Sequence, residues 1–276
     1  QKKSFARKTL AITFDDGYLS IYENAFPELK KRQWPFTIFV SPLAIDQQFG
    51  NSLSWAQLKE MQGQGATVAN HSNAHLHLLA KEKNESHGQW QQRLQVDFQS
   101  SDQRLKDELS INNSLFAYPY GEFNQALKSQ LKELGYVAFA QQSGPISASS
   151  DMQALPRFPA SGIYANVDTL TVKLNSLAFD IVDVKPQSRL LKIGEQAPTL
   201  ELRVKAKDVQ HQQIQCFYMG TPIATKVTKL GAELLISAQL ASPLIPGRSR
   251  YNCTAPSLSK KCHYWYSMPF INQPMG

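Results

Sequence analysis

The chain has 276 residues and a formal net charge of +7 at pH 7, and 42% of its residues are hydrophobic. This length allows one large hydrophobic core or two smaller ones. The sequence contains no run of about twenty apolar residues, so no membrane-spanning helix is expected. No recognised nucleic-acid-binding motif accompanies the basic excess, which argues against a nucleic acid partner.

The first half of the chain alternates between segments of strand type and segments of helix type. Short apolar runs that fit buried strands lie at 9–14, 36–41, 66–70, 115–118 and 136–140. Helical spacing and end signals predict helices at 20–32, 54–62, 85–109 and 124–134, with Ser54 and Asn124 as N-caps. This βα repetition predicts an α/β fold.

Acidic residues and histidines follow two of the predicted strands. Asp15 and Asp16 come directly after the first strand, and His71 and His75 follow the third. An Asp-Asp-Gly turn or a His pair would carry little weight alone, but α/β folds build their sites at strand C-termini. One carboxylate and two imidazoles can hold a divalent metal with an open position, and the second carboxylate is free to act as a base. The pattern indicates a metallohydrolase.

Three motifs resemble those of the polysaccharide deacetylases, the NodB-type carbohydrate esterases. They are Thr13-Phe14-Asp15-Asp16-Gly17, His71-Ser72-Asn73-Ala74-His75 and Phe116-Ala117-Tyr118-Pro119-Tyr120-Gly121. The resemblance covers residues 8–175 and implies a distorted (β/α)7 barrel. It also implies that Asp15 is the general base and that the backbone N–H of Tyr120 contributes to the oxyanion hole. The metal ligands that it implies are Asp16, His71 and His75.

The sequence departs from the pattern of this family at two places. The third motif often carries an Arg that holds the catalytic Asp, whereas Ala117 stands there in this chain. Arg157 is the candidate substitute, because a guanidinium can brace a carboxylate through two hydrogen bonds. A solvated surface Arg is the alternative. The late His that serves the family as general acid has no counterpart, since no histidine lies between His87 and His211.

The resemblance implies a hydrolase that removes N-acetyl groups from an N-acetylglucosamine polymer. The acetylated polysaccharide substrate could be a chitin-like glycan, poly-N-acetylglucosamine or peptidoglycan. The expected metal is Zn²⁺, although imidazole ligands also admit Co²⁺ or Ni²⁺. An O-acetyl esterase acting on xylan and a catalytically weak glycan-binding relative are the alternatives. Nothing in the sequence predicts the oligomeric state.

The pattern changes near residue 176 to short, partly alternating strands separated by Pro and Gly. The predicted strands are 181–184, 199–204, 214–218 and 232–238. Period-two alternation without helices predicts a small sandwich-like β domain over 176–276, following a deacetylase domain over 1–175. The second part holds 12 Lys and Arg residues against 6 Asp and Glu residues. This excess fits an anionic glycan or envelope surface, or ordinary solubility charge.

All three cysteines lie in the second part of the chain, away from the predicted metal site. We favour a Cys216–Cys253 disulfide with Cys262 free, and a Cys253–Cys262 bond is the alternative. Disulfides persist in oxidising compartments, so the protein is expected to be periplasmic or secreted. The aromatic residues of 251–270 are expected to fill the β-domain core.

Overall fold

The chain folds into an α/β unit followed by a β-rich unit, and the computed structural model describes residues 9–273. The two units are Gln1–Phe139 and Ala140–Gly276. The domain boundary expected near residue 175 stays a prediction. Among the described residues, no helix combines the length and the hydrophobicity needed to cross a bilayer.

Five parallel strands form one sheet in the described part of the first unit, in the order β1-β2-β3-β4-β5. The strands are β1 (Ile12–Phe14), β2 (Phe36–Val40), β3 (Ala66–Asn70), β4 (Leu115–Ala117) and β5 (Val137–Phe139). The helices are α1 (Phe26–Lys31), α2 (Pro42–Asp46), α3 (Trp55–Gly63), α4 (His87–Leu109) and α5 (Gln125–Glu133). A π-helical turn at Ile21–Ala25 directly precedes α1. The predicted α/β class is confirmed, and α2 is a helix of this unit that the sequence pattern missed.

Local signals in the sequence set the ends of these helices. The Ser54 side chain accepts a hydrogen bond from the backbone N–H of Gln57, whose side chain accepts one from the Ser54 backbone. Asn124 likewise caps α5 by accepting from Leu127 N. Each side chain satisfies a backbone donor that the first helical turn leaves unpaired. The predicted caps are therefore confirmed.

The central strands are buried, as in parallel sheets with helices on both faces. Ile38, Phe39 and Val40 of β2 are inaccessible to solvent, as are Val68 and Ala69 of β3. Because all five strands run in the same direction, their carboxyl ends meet at one edge of the sheet. The predicted site residues that follow β1, β3 and β4 are therefore brought to a common edge.

The described part of the second unit contains an α-helix and two β-sheets. The helix is α6 (Val167–Leu174), and the strands are β6 (Leu177–Ala178), β7 (Ile181–Lys185), β8 (Leu190–Lys192), β9 (Leu200–Lys205), β10 (Gln215–Tyr218), β11 (Thr221–Pro222), β12 (Ala224–Leu230), β13 (Glu233–Gln239), β14 (Gly247–Pro256) and β15 (His263–Gln273). One described sheet has the order β11-β10-β14-β15-β6, with β8 also paired to β15, and the other has the order β12-β13-β9-β7.

Side chains from both sheets form one core, as the alternating sequence pattern predicted. Leu200, Leu202 and Val204 of β9 point inward while their neighbours are exposed. Tyr251 and Phe270 are fully buried in the same cluster, which confirms the core-filling role of these aromatic residues.

A disulfide joins Cys216 of β10 to Cys253 of β14, and Cys262 is a free thiol. The two bonded residues are direct partners in the antiparallel register and are both fully buried. The favoured cysteine pairing is therefore confirmed.

Candidate metal centre

Asp16, His71 and His75 come together at the carboxyl edge of the parallel sheet. The Nε2 atoms of His71 and His75 lie 3.2 and 3.0 Å from the same oxygen, Oδ1 of Asp16. One ligand atom from each residue lies within 4.8 Å of the others. Two imidazole nitrogens and a carboxylate oxygen at such separations form a donor set that could hold a divalent metal and leave a position open.

The hydrogen bonding of His71 fits a role as metal ligand. Its Nδ1 lies 2.7 Å from the carbonyl oxygen of Ala117, the last residue of β4. A carbonyl can only accept, so Nδ1 carries the hydrogen and Nε2 of the neutral ring presents its lone pair. This Nε2 atom is buried and makes no hydrogen bond. A buried nitrogen lone pair facing a carboxylate oxygen is a repulsive arrangement that a cation between them would relieve, so these residues fit a metal ion.

The Asp16 carboxyl group is suited to act as an anionic ligand. The ordinary pKa of an aspartic acid side chain lies near 4. The group is therefore ionised at neutral pH.

The backbone of the site loops is strained at four residues other than glycine. The φ angles of Asp16, Ser72, His75 and Tyr120 are 71°, 65°, 51° and 58°. The left-handed conformation costs such residues about 1–2 kcal/mol each. Strain of this kind persists where surrounding contacts hold it, and it is concentrated at functional sites. Two of the metal-ligand candidates and the oxyanion-hole candidate are therefore in backbone conformations that their surroundings must enforce.

The loop between the two histidines is anchored by Asp97 of α4. The Asp97 carboxylate accepts hydrogen bonds from Asn73 N at 2.9 Å and from Ala74 N at 3.1 Å. No pattern in the sequence marks this residue, because an acidic side chain on a long polar helix has the pattern of a solvated surface group.

A second polar group supports the residue that precedes His71. Asn70 donates to Asp102 Oδ1 at 2.8 Å and accepts from Ser72 N at 2.8 Å. The Tyr136 hydroxyl donates to the other oxygen of Asp102. Burial is the main cause that raises the pKa of the Asp102 carboxyl. These contacts connect the end of β3 to α4, and no motif in the sequence signalled them.

The remaining predicted site residues lie in different parts of the chain. Asp15 is half-buried and directly follows β1, next to Asp16. The Tyr120 ring contacts the His75 ring edge-on, with 4.7 Å between centroids. Arg157 belongs to the second unit, where its Nε donates to Ala140 O at 2.9 Å. Its contact with Asp15 stays a prediction.

Comparison with known families and structures agrees with this arrangement. The family model described as polysaccharide deacetylase matches residues 2–139, half of the chain. The chain therefore belongs to the polysaccharide deacetylase family. The structure of IcaB from Ammonifex degensii matches with a TM-score of 0.50 at 28% identity, covering 59% of this chain and 72% of that one. A de-N-acetylase from Aggregatibacter actinomycetemcomitans shares the fold, with a TM-score of 0.55 at 20% identity over 62% and 77% of the two chains.

Two curated relatives are poly-β-1,6-N-acetyl-D-glucosamine N-deacetylases. The Escherichia coli protein is 26% identical over an alignment of 188 residues, and the match covers 56% of this chain and 28% of that protein. The Staphylococcus epidermidis protein is 31% identical over an alignment of 170 residues, and the match covers 58% of this chain and 57% of that one. The chain thus spans less than two thirds of the length of either relative.

Proposed function

We propose that this protein is a metal-dependent N-deacetylase of an N-acetylglucosamine polymer, with β-1,6-linked poly-N-acetylglucosamine as the favoured substrate. The observation that carries the proposal is the cluster of Asp16, His71 and His75, with Asp15 adjacent, at the carboxyl edge of the sheet. The names of the two curated relatives support the choice of polymer over chitin-like glycans or peptidoglycan.

The proposed mechanism divides the work among the residues of this site. Asp16, His71 and His75 hold a divalent cation, for which we favour Zn²⁺ over Co²⁺ or Ni²⁺. When bound, the cation supplies Lewis-acid polarisation of the acetyl carbonyl and makes water more acidic. Asp15 removes a proton from the attacking water.

The carbonyl oxygen becomes an anion as water attacks the acetamido carbon. The backbone N–H of Tyr120 donates to this oxygen, a type of contact worth about 3 kcal/mol in other hydrolases. Arg157 is proposed to brace the Asp15 carboxylate. As the carbon–nitrogen bond breaks, the nitrogen takes a proton from water, and the products are acetate and a free amine on the sugar.

An O-acetyl esterase is the second candidate function, because the sequence assigns no general acid. A departing amine needs a proton, and general acid catalysis is typically worth about 10²–10⁴-fold in rate. A departing alkoxide is less basic and depends less on that proton. The same metal site would therefore suit acetylated xylan without a dedicated donor.

Acetate release from three substrates tests the proposal. The zinc-loaded protein is incubated with oligomers of β-1,6-linked N-acetylglucosamine, with chitooligosaccharides and with acetylated xylan. We expect the first to be turned over fastest, and Asp15→Asn to reduce that turnover about 100-fold or more while keeping the metal. Asp107→Asn, which changes an exposed carboxylate of α4 that accepts from Gln103, is the matched control. Faster release from xylan would favour the esterase, and no release from any substrate would favour a glycan-binding protein without activity.

We further propose that the protein works in the periplasm or outside the cell. The Cys216–Cys253 disulfide supports this compartment, because such bonds are rare where thiols are kept reduced. Mass spectrometry of protein taken from its natural compartment should find this pair oxidised. Three free thiols in that sample would contradict the proposal.

A further inference from the structure

An aromatic stack lies beside the candidate metal ligands and involves a histidine that is not one of them. The ring of His77 lies flat on the ring of Tyr120, with 4.0 Å between centroids and an interplanar angle of 8°. The Tyr120 ring also contacts His75 edge-on, at 4.7 Å and 70°. The phenol therefore lies in contact with a candidate ligand and with a second imidazole.

A buried carboxylate fixes the orientation of that second imidazole. Both oxygens of Glu122 lie 3.2–3.3 Å from His77 Nδ1. The Glu122 side chain is only 5% exposed, whereas the His77 side chain is 56% exposed. A buried carboxylate needs hydrogen-bond donors, and a carboxylate can only accept, so His77 Nδ1–H donates to it. This bond holds the exposed ring against Tyr120.

The residue under this ring is one of the strained residues of the site. Tyr120 has φ 58° and ψ 3°, and the turn around it is closed by bonds from Gly121 N to Tyr118 O at 2.9 Å and from Glu122 N to Pro119 O at 3.2 Å. The left-handed conformation costs tyrosine about 1–2 kcal/mol, which surrounding contacts must offset. The direction of the Tyr120 N–H depends on this conformation.

We propose that His77 and Glu122 are positioning residues that hold the Tyr120 ring, and with it the backbone N–H that donates to the oxyanion. The carboxylate fixes the imidazole, the imidazole covers the phenol, and the phenol keeps the turn in its strained form. The inference rests on the proposed deacetylase function for its effect on rate. It requires no change of protonation at His77.

Kinetics of His77 variants test this role, and melting temperatures are measured alongside because His77→Ala leaves the buried Glu122 carboxylate without this donor. We expect His77→Ala to lower kcat about 10- to 100-fold, since loss of an entire oxyanion donor costs about 10²–10³-fold. KM and metal content should not change. His77→Phe keeps a ring over Tyr120 but loses the bond to Glu122. The kcat of this variant should therefore lie between those of wild type and His77→Ala. His87→Ala is the matched control, because His87 is also exposed and lies against an aromatic ring, that of Trp90.

A transition-state mimic separates positioning from a general structural effect. A glucosamine oligomer with an N-methylphosphonamidate in place of the N-acetyl group presents a tetrahedral anion to the site. If His77 positions the oxyanion donor, the Ki of this mimic should rise in His77→Ala by the same factor by which kcat/KM falls. A loss of thermal stability with unchanged Ki and kcat would overturn the proposal.

A measurement on the metal-free protein tests the positioning without activity. His77→Ala should shift the ¹H–¹⁵N signal of Tyr120 and speed its amide hydrogen exchange, and His87→Ala should change neither. An unmoved signal would overturn the inference even in an active enzyme. Wild-type protein without activity on N-acetyl substrates, but with the expected signal change, would overturn the proposed function and leave the positioning of Tyr120 supported.

Discussion

Replacing Asp97 with Asn should weaken divalent-metal binding while leaving all three candidate ligands in place. The two carboxylate oxygens each accept one backbone N–H, from Asn73 at 2.9 Å and from Ala74 at 3.1 Å. These two donors lie in the loop between His71 and His75. An Asn side chain has one acceptor oxygen and no charge, so one N–H loses its partner and the other bond becomes weaker.

The expected magnitude follows from the strength of the lost bond. A hydrogen bond to a charged group contributes about 1.5–3 kcal/mol. The loop conformation that places both imidazoles against Asp16 would be destabilised by about this amount relative to other loop conformations. Because about 1.4 kcal/mol corresponds to a tenfold change in an equilibrium constant, the metal Kd should rise about 10- to 100-fold. Residues that orient metal ligands typically have effects of this size.

The assay is competition for Zn²⁺ against a chromophoric chelator, with wild type and variant at the same pH. Asp107→Asn is the control, because it removes the same charge from an exposed position of α4. A variant that folds normally and binds Zn²⁺ within twofold of wild type would refute the reasoning. A lower melting temperature with an unchanged Kd would show that Asp97 supports packing of the loop and not the ligand geometry.

Three further predictions concern the ligand set, the disulfide and acid stability. His71→Ala should lose both bound metal and activity, whereas Asp15→Asn should keep the metal and lose activity; metal analysis of the two variants checks this, and unchanged stoichiometry in His71→Ala would contradict the ligand assignment. The Cys216–Cys253 disulfide closes a loop between residues 37 positions apart, so its reduction should lower the free energy of unfolding by about 3–4 kcal/mol. Equal urea midpoints with and without reductant would refute this. Hydrogen bonds, led by that from the Ser257 hydroxyl, lower the pKa of the Asp208 carboxyl to about 2. The stability that this carboxylate contributes is therefore present above the unfolded-state pKa of about 4 and is lost as the pH falls to about 2; urea midpoints of wild type and Asp208→Asn should differ at pH 6 and converge near pH 2, and a constant difference would contradict this.

Features that depend on neighbouring residues in the chain could be predicted from the sequence. The helices begin where Ser54 and Asn124 can cap them, because a cap needs only a side chain and the next few backbone N–H groups. The strands follow apolar runs, and the second unit follows period-two alternation. The residues of the candidate metal centre were predicted because they lie just beyond strands whose carboxyl ends share one edge. The choice of Asp16 over Asp15 as a ligand came from the family resemblance.

Contacts between distant segments were decided only by the tertiary structure. Asn73 is 24 residues from Asp97, Tyr136 is 34 residues from Asp102, and His77 is 45 residues from Glu122. Each acidic side chain has the sequence pattern of a solvated surface charge. The partners of Asp97 and Glu122 are set by where α4 and the turn after β4 pack against the loop that follows β3, and the partner of Asp102 is set by where α4 packs against the start of β5. Local periodicity and capping record which residues are buried and where elements end, but they carry no information about which polar groups meet once the elements have packed.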